Sequence, residues 1–404
     1  MKRKVLAIIV PALLMAGAAN AAEIYNNNGN KFDINAKVDA RHTFSDDTGN
    51  DGDETYIEVG FRGETQITND TDGNNALTGF GEALGKVIAS DTENSGGNGY
   101  MKLAYAGLKF GQAGSFDYGR NYGVIYDVEA YTDMLPVFGG DSYTWTDNYM
   151  VGRANGVATY RNTDFFGMVD GWNFALQYQG NNENGGTDDG LNEGTKNRHD
   201  GDDFRLDNGD GFGMSTSYDF DFGLSLGAAY SSSDRTDEQV AAGLHHNNRY
   251  SKYAGGDTAE AWTVGARYSA SVMGNDELYL AMMYAETRNM TPYGTDGIAN
   301  QTQNFEAVAQ YQFDFGLRPT LAWVYSKGKD MGGYKGRHDN RSVIEYTDKA
   351  LVNYIDIGAT YYFNKNFSTY VDYKINLLDE DVNFYDENGI STDDIVGVGL
   401  VYQF

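Results

Sequence analysis

The stretch Lys31 to His42, KFDINAKVDARH, decides the fold through its period of two. Its odd positions, Lys31, Asp33, Asn35, Lys37, Asp39 and Arg41, are all polar. Its even positions Phe32, Ile34, Ala36, Val38 and Ala40 are all apolar. Successive side chains of an extended backbone point to opposite faces, so this is a strand with one wet and one apolar face. A soluble β-sandwich could also use such a strand, and the rest of the chain must separate the two.

The pattern recurs on both sides of that stretch. In TYIEVGFRG, Ile57, Val59 and Phe61 oppose Glu58 and Arg62. In LRPTLAWVYSK, Leu317, Leu321, Trp323 and Tyr325 oppose Arg318, Thr320 and Ser326. In FSTYVDYKIN, Phe367, Val371, Tyr373 and Ile375 oppose Ser368, Asp372, Lys374 and Asn376. The closing IVGVGLVYQF sets Val396, Val398, Leu400, Tyr402 and Phe404 on one face. Polar faces dense in opposite charges fit a water-filled lumen better than the outside of a sandwich. The connections alternate in length. Phe220–Gly223, Met273–Asp276, Asp314–Gly316 and Asn364–Asn366 are short; 180–210, 233–257, 288–302, 327–348 and 378–392 read as long loops rich in Gly, Asn and Asp. Short turns at one end and long loops at the other mark a transmembrane β-barrel. At about 24 residues per strand and averaged connection, the chain after its leader holds roughly 16 antiparallel strands. A barrel of that size keeps an aqueous channel.

Composition agrees. The chain has 51 Gly, 31 Tyr and 21 Phe but 4 Pro and no Cys. Taken alone, its 41% hydrophobic content also suits a soluble acidic protein. A closed barrel lets so polar a chain cross lipid, because every backbone group is paired within the ring. The start, Lys2-Arg3-Lys4 followed by an apolar run and Ala19-Asn20-Ala21, reads as a secretory signal peptide over residues 1–21, with a single barrel domain over 22–404. A net charge of −28, or −31 without the leader, disfavours a nucleic-acid partner. The lack of Cys suits passage through an oxidising periplasm.

One connection differs from the others. Residues 117–148, DYGRNYGVIYDVEAYTDMLPVFGGDSYTWTDN, hold more aromatic and aliphatic residues than a surface loop normally shows. The segment should therefore pack on something, either the lumen wall or the barrel rim.

The sequence resembles the general diffusion porins of enteric Gram-negative bacteria. The resemblance rests on AEIYNNNGNKFD, GFRGETQI, LAYAGLKFGQAGSFDYGRNYGVIYD, YTDMLPVFGGD, GVATYRNTDFFGMVDGWNFALQYQG, VAQYQFDFGLRP, VNYIDIGATYYFNKNFSTYVDY and the terminal VYQF, and it spans Ala22 to Phe404. It implies an outer-membrane homotrimer of 16-stranded barrels in contact with lipid and lipopolysaccharide. It also implies that the 117–148 loop folds inward as a constriction and that Phe404 is recognised by the barrel-assembly machinery. In that family loop acids face a basic wall. The matching positions are Lys37, Lys102 and Arg153 on the wall and Asp133 on the loop. Alternation puts Lys37 on the lumen face and Lys102 opposite Leu103 and Tyr105. The chain departs from the family twice: Val137 stands where the family has Glu, and Glu58 where it has a base. Arg62, Glu82, Glu129, Val137, Asp356 and Asp372 are further candidates for lining the pore.

These departures set two readings of Glu58 side by side. Either it makes the pore prefer cations, or it pairs with Arg62 or Lys102 and is electrostatically quiet. Ions and small hydrophilic solutes would cross passively, with no catalysis, cofactor or metal. A substrate-specific channel using Tyr122 and Tyr126 remains an alternative. So do a barrel enzyme, for which His42 is the one candidate base, and a receptor or adhesin built on the long loops. His245-His246 reads as solvated. The acidic runs 46–54 and 207–211 miss the spacing of a calcium loop but could bridge divalent ions to lipopolysaccharide phosphates.

Overall fold

The computed structural model describes residues 21–68, 76–93, 99–182, 204–245, 254–272, 275–295, 297–338 and 341–404. The expected signal segment thus lies almost wholly outside the described residues. Along Asn30–Phe44 burial runs opposite to that of a soluble protein. Asp39 and Thr43 are 0% and 2% exposed, whereas Val38 and Phe44 are 38% and 52% exposed. The apolar side chains point out and the polar ones in, as a lipid-embedded barrel requires. The inversion holds around the ring, with Val59, Leu176, Met214, Val264, Met282, Leu321 and Leu400 exposed, and Gln177, Thr263, Thr287, Asn304 and Ser326 buried.

Sixteen antiparallel strands form the wall, beginning Asn30–Phe44, Tyr56–Gln66, Leu77–Ile88, Gly99–Phe110 and ending Phe367–Asn376, Ile395–Gln403. The last strand pairs with the first, from Phe44↔Val396 to Lys37↔Gln403, and closes the ring. The short segment Ala22–Asn27 completes the remaining edge of the first strand, from Ala22↔Ile34 to Asn27↔Asn30. Ala36 and Phe404 exchange two backbone hydrogen bonds of 3.0 Å at the junction. Among the described residues the ring itself is closed, with no gap between neighbouring wall strands. Among the described residues no helix is long and apolar enough to cross a membrane, so the strands do the crossing.

The turns follow from their residues. Phe-Asp-Phe-Gly occurs at 220–223 and again at 313–316. Gly223 and Gly316 take φ +97° and +100°, and a Cβ there would lie 2.1 Å from the Ser269 carbonyl and 2.4 Å from that of Tyr362. Only glycine fits both the angle and the space. The flanking aromatics, Tyr218–Phe220–Phe222, Tyr311–Phe313–Phe315 and Tyr361–Phe363–Phe367, pack mostly edge-on or tilted with centroids 4.7–5.6 Å apart. They form a girdle at the short-turn end, where amphipathic rings suit the membrane boundary.

Two readings from the sequence need correction. Residues 327–348 are not a loop: strands Leu317–His338 and Arg341–Tyr362 stay paired out to His338↔Arg341, with register shifts near Met331. A continued ladder satisfies the backbone regardless of how many Gly and Asp it contains. Second, Leu103 and Tyr105 do not oppose Lys102. A bulge pairs Leu84 with Leu103 but Gly85 with Met101, so Lys102 is the extra residue. Leu103 is buried, and Tyr105 donates a 2.8 Å bond to Glu82 on the inner face. The bulge lets Lys102 turn inward beside them. Of the other long connections, 233–257 contains a helix, Asp237–His245, and 378–392 another, Asn383–Asn388.

The constriction loop and the charged wall

The loop starts after Ser115–Tyr122 and returns at Arg153–Asn162. It lies inside the barrel, because its partners are inward-facing side chains of the wall. On the near side, Gln177 donates to the Tyr122 carbonyl and accepts from Val124 N, both at 3.0 Å. Asp127 is paired with Arg161 at 2.8 Å and accepts from Ser215 at 2.6 Å. Farther on, Tyr279 donates to the Tyr131 carbonyl at 2.7 Å and Gln310 to that of Met134 at 3.1 Å. At the tip, Arg41 donates to the Pro136 carbonyl at 2.9 Å and Val137 N donates to Asp372 at 3.0 Å. The Tyr354 hydroxyl accepts from Gly139 N at 2.9 Å and donates to Asp141 at 2.7 Å. The loop therefore spans the lumen from the Trp172–Gln179 strand to the first and last strands.

Small residues make room for it. A Cβ on Gly213 would meet Val124 at 2.6 Å, one on Gly265 would meet Val128 at 2.7 Å, and one on Gly397 would meet Val137 at 2.8 Å. Ile125, Val128 and Tyr143 pack with Ala229, Ala261 and Ala285 in a buried cluster. A loop this apolar gains from leaving water, which explains its composition.

Facing the channel is a charged row made by cross-strand register. Lys37 lies opposite Glu58, and Glu58 opposite Lys86. Lys102 reaches over to Glu58, Nζ to Oε1 2.6 Å, with the two side chains 20% and 15% exposed. Lys37 donates to the Tyr56 hydroxyl at 2.8 Å and lies 3.3 Å from Asp39. Arg153 donates to Thr146 at 3.0 Å, and both it and Lys102 lie within electrostatic reach of Asp133. Asp133 accepts a short hydrogen bond from Tyr126, whose ring stacks on Tyr122 at 4.5 Å.

The other candidates fall elsewhere. Arg62 lies four residues nearer the short-turn end than Glu58, about 13 Å along the strand. It pairs with Glu64 at 3.4 Å and faces Glu82 across the ladder. Glu58 therefore takes Lys102, not Arg62, as its partner. Glu129, Asp356 and Asp372 do not line open water; all three are fully buried between loop and wall. Burial first, and then the adjacent Glu306 carboxyl, push Glu129 well above the ordinary carboxylate range. Val137 seats on Gly397 rather than pointing into the channel. His42 is on the outer face, its ring 4.6 Å from that of Phe44. His199 and His246 lie outside the described residues. The sequence reading missed Arg41, Lys86, Tyr279, Glu306, Gln310 and Tyr354. Alternation marks each as inward or outward, but nothing local says what it will meet.

A closed barrel narrowed by an inward loop beside a charged wall defines a β-barrel diffusion channel. Residues 27–404 match the family of Gram-negative porins, and the chain belongs to that family. It is 63% identical to outer membrane protein S2 of Salmonella typhi and 60% identical to outer membrane porin N of Escherichia coli K12, in each case over 100% of both chains. Among solved structures it is similar to Salmonella typhi OmpF in complex with daunomycin, 44% identical, with TM-score 0.77, covering 95% of this chain and 100% of that one. The protein is a porin of the Gram-negative outer membrane, a passive diffusion channel. The family's members are channels rather than enzymes.

Proposed function

We propose that this porin sorts ions and small hydrophilic solutes by size at the 117–148 loop and by charge at Lys37, Glu58, Lys102, Arg153 and Asp133, with an overall preference for cations and no catalytic step. The reading is carried by one observation: the loop is seated on one wall while the charged row stands on the other. Cation preference is supported by the acidic surroundings of the outer mouth, including Asp46, Asp47, Asp51, Asp53 and Glu54 on one loop and Asp379, Glu380, Asp381, Asp386 and Glu387 on another. A mouth of one sign concentrates counter-ions. The charge of Glu58 is largely met by Lys102, so the mouth rather than Glu58 supplies the preference. The same acidic rim could bind divalent cations that bridge to lipopolysaccharide phosphates.

A homotrimer fits the outer face. Gly63, Gly79, Gly81, Ala83, Ala104 and Ala106 alternate with inward residues on three adjacent strands. Many outward positions elsewhere carry large side chains, among them Leu176, Met214, Trp323 and Tyr402. Small residues let two membrane surfaces approach closely. Residues 22–404 would be one domain, delivered after loss of the 1–21 leader and assembled through Phe404. Planar-bilayer recording tests the reading: conductance steps closing in threes, with a cation-selective reversal potential in a salt gradient, are expected. Single steps would contradict the trimer, and an anion-selective potential the charge assignment.

A further inference from the structure

We infer that Lys86 is the residue that sets the charge of the constriction wall in this porin, and that Glu58 with Lys102 forms a neutral clasp that leaves Lys86 to act alone. This deepens the diffusion reading and rests on it. The cations of the wall gather around one ring. Tyr56 is 6% exposed; Lys86 Nζ stands 3.7 Å from its ring centroid, and Lys37 Nζ and Arg41 Cζ stand 5.2 and 5.3 Å away. A tyrosine face attracts cations through its quadrupole, most strongly at the shortest distance. These three cations and Lys102 differ in their acids. Lys37 and Arg41 share Asp39, at 3.3 and 3.0 Å, and Arg41 also has Glu54 at 3.8 Å. Lys102 has Glu58 at 2.6 Å. Among the described residues Lys86 has no carboxylate within ion-pair distance, although it faces Glu58 across the ladder.

Around the Tyr56 ring the charges therefore sum to one, and Arg153 with Asp133 of the loop, opposite in sign, adds nothing to that total. Lys37 and Arg41 balance Asp39 and Glu54; Lys102 balances Glu58; Lys86 remains. A close ion pair acts at a distance as a weak dipole, whereas a lone charge acts over the Debye length, about 10 Å at 0.1 M salt. The ring of Tyr56 supplies what a carboxylate usually supplies, a fixed position, without cancelling the charge. Lys86 is thus the wall group that opposes cation passage and receives the carboxylate or phosphate of an anionic solute.

The test is the cation-to-anion permeability ratio, from reversal potentials of the full-length porin in planar bilayers. Lys86→Gln should raise the ratio about two- to threefold at 0.1 M salt, and the change should fade at 1 M, where the Debye length is about 3 Å. Lys86→Arg should restore the wild-type ratio. Tyr56→Leu, which removes the platform, should shift the ratio in the same direction as Lys86→Gln and less far. Glu58→Gln and Lys102→Gln should move it in opposite directions, and the double variant should return it to the wild-type value. Conducting channels in which Lys86→Gln leaves the ratio unchanged would overturn the inference, as would a double variant displaced as far as Glu58→Gln alone. A folded wild-type protein that conducts nothing would instead remove the diffusion reading, and this inference with it.

Discussion

The strands from Asn30–Phe44 to Gly99–Phe110 turn Lys37, Glu58, Lys86 and Lys102 toward the channel, while the strands around Gln301–Gln312, Arg341–Tyr362 and Phe367–Asn376 turn Glu306, Tyr354, Asp356 and Asp372 against the loop. Both walls obey the same alternation, polar in and apolar out. On the first, the side chains other than Lys86 are paired with one another, and all remain partly wet. On the second they are dry, and Glu306, Tyr354 and Asp372 accept from backbone N–H groups of the loop. A polar lumen face thus has two uses, filtering ions and seating a segment, and only the company each residue keeps tells them apart.

Changes that separate the two walls should therefore have separable effects. The largest is expected from filling the seat. Gly265→Leu would drive its side chain into Val128, a Cβ alone coming within 2.7 Å, and overpacking of this kind costs about 1–3 kcal/mol. The loop should be pushed into the lumen, so single-channel conductance should fall with little change in ion selectivity. A smaller effect of opposite sign is expected from Asp372→Ala. The Val137 N–H then loses its acceptor, at a cost of about 1–3 kcal/mol. The loop tip should loosen, and liposome swelling should admit larger sugars while the permeability ratio stays near that of the wild type. If either change altered selectivity more than Lys86→Gln does, the division between walls would be wrong.

The smallest effect concerns pH. Burial, and then the neighbouring Glu306, push the Glu129 carboxyl up. Because its carboxyl is raised in the folded state, its contribution to seating is full below the ordinary carboxylate range and is lost as pH rises toward the raised value. Current noise from loop movement should therefore grow with rising pH. Glu129→Gln, which cannot ionise, should flatten that dependence, and an unchanged pH profile would exclude Glu129 as its source.

Much of the fold was legible because alternation is a local signal repeated around the ring, and because Phe-Asp-Phe-Gly can turn in few ways. The 327–348 ladder was not, since its Gly, Lys and Asp carry no face. The inward path of the loop was only half legible: its apolar composition demanded a cover without naming one. Gly213, Gly265 and Gly397 supply that cover, yet a glycine in a strand says nothing of what approaches it. Lys102 was placed on the correct face although the alternation around it breaks at a bulge. Lys86 escaped notice because GEALGKV has small outward residues and Leu84 on the lumen face, which blurs the period. Glu306 and Tyr354 meet a loop more than 160 residues away, beyond any local pattern.

The seating of the loop tip on the wall where the barrel closes can be measured directly. The chain has no Cys, so an introduced pair is unambiguous. Val137 Cβ lies 3.4 Å from the Cβ position of Gly397, close to the separation a disulfide needs. In Val137→Cys/Gly397→Cys, the pair should oxidise in the folded protein, and single-channel conductance should be the same before and after reduction. Failure to cross-link in a folded barrel, or cross-linking that closes the channel, would contradict a loop held permanently against that wall.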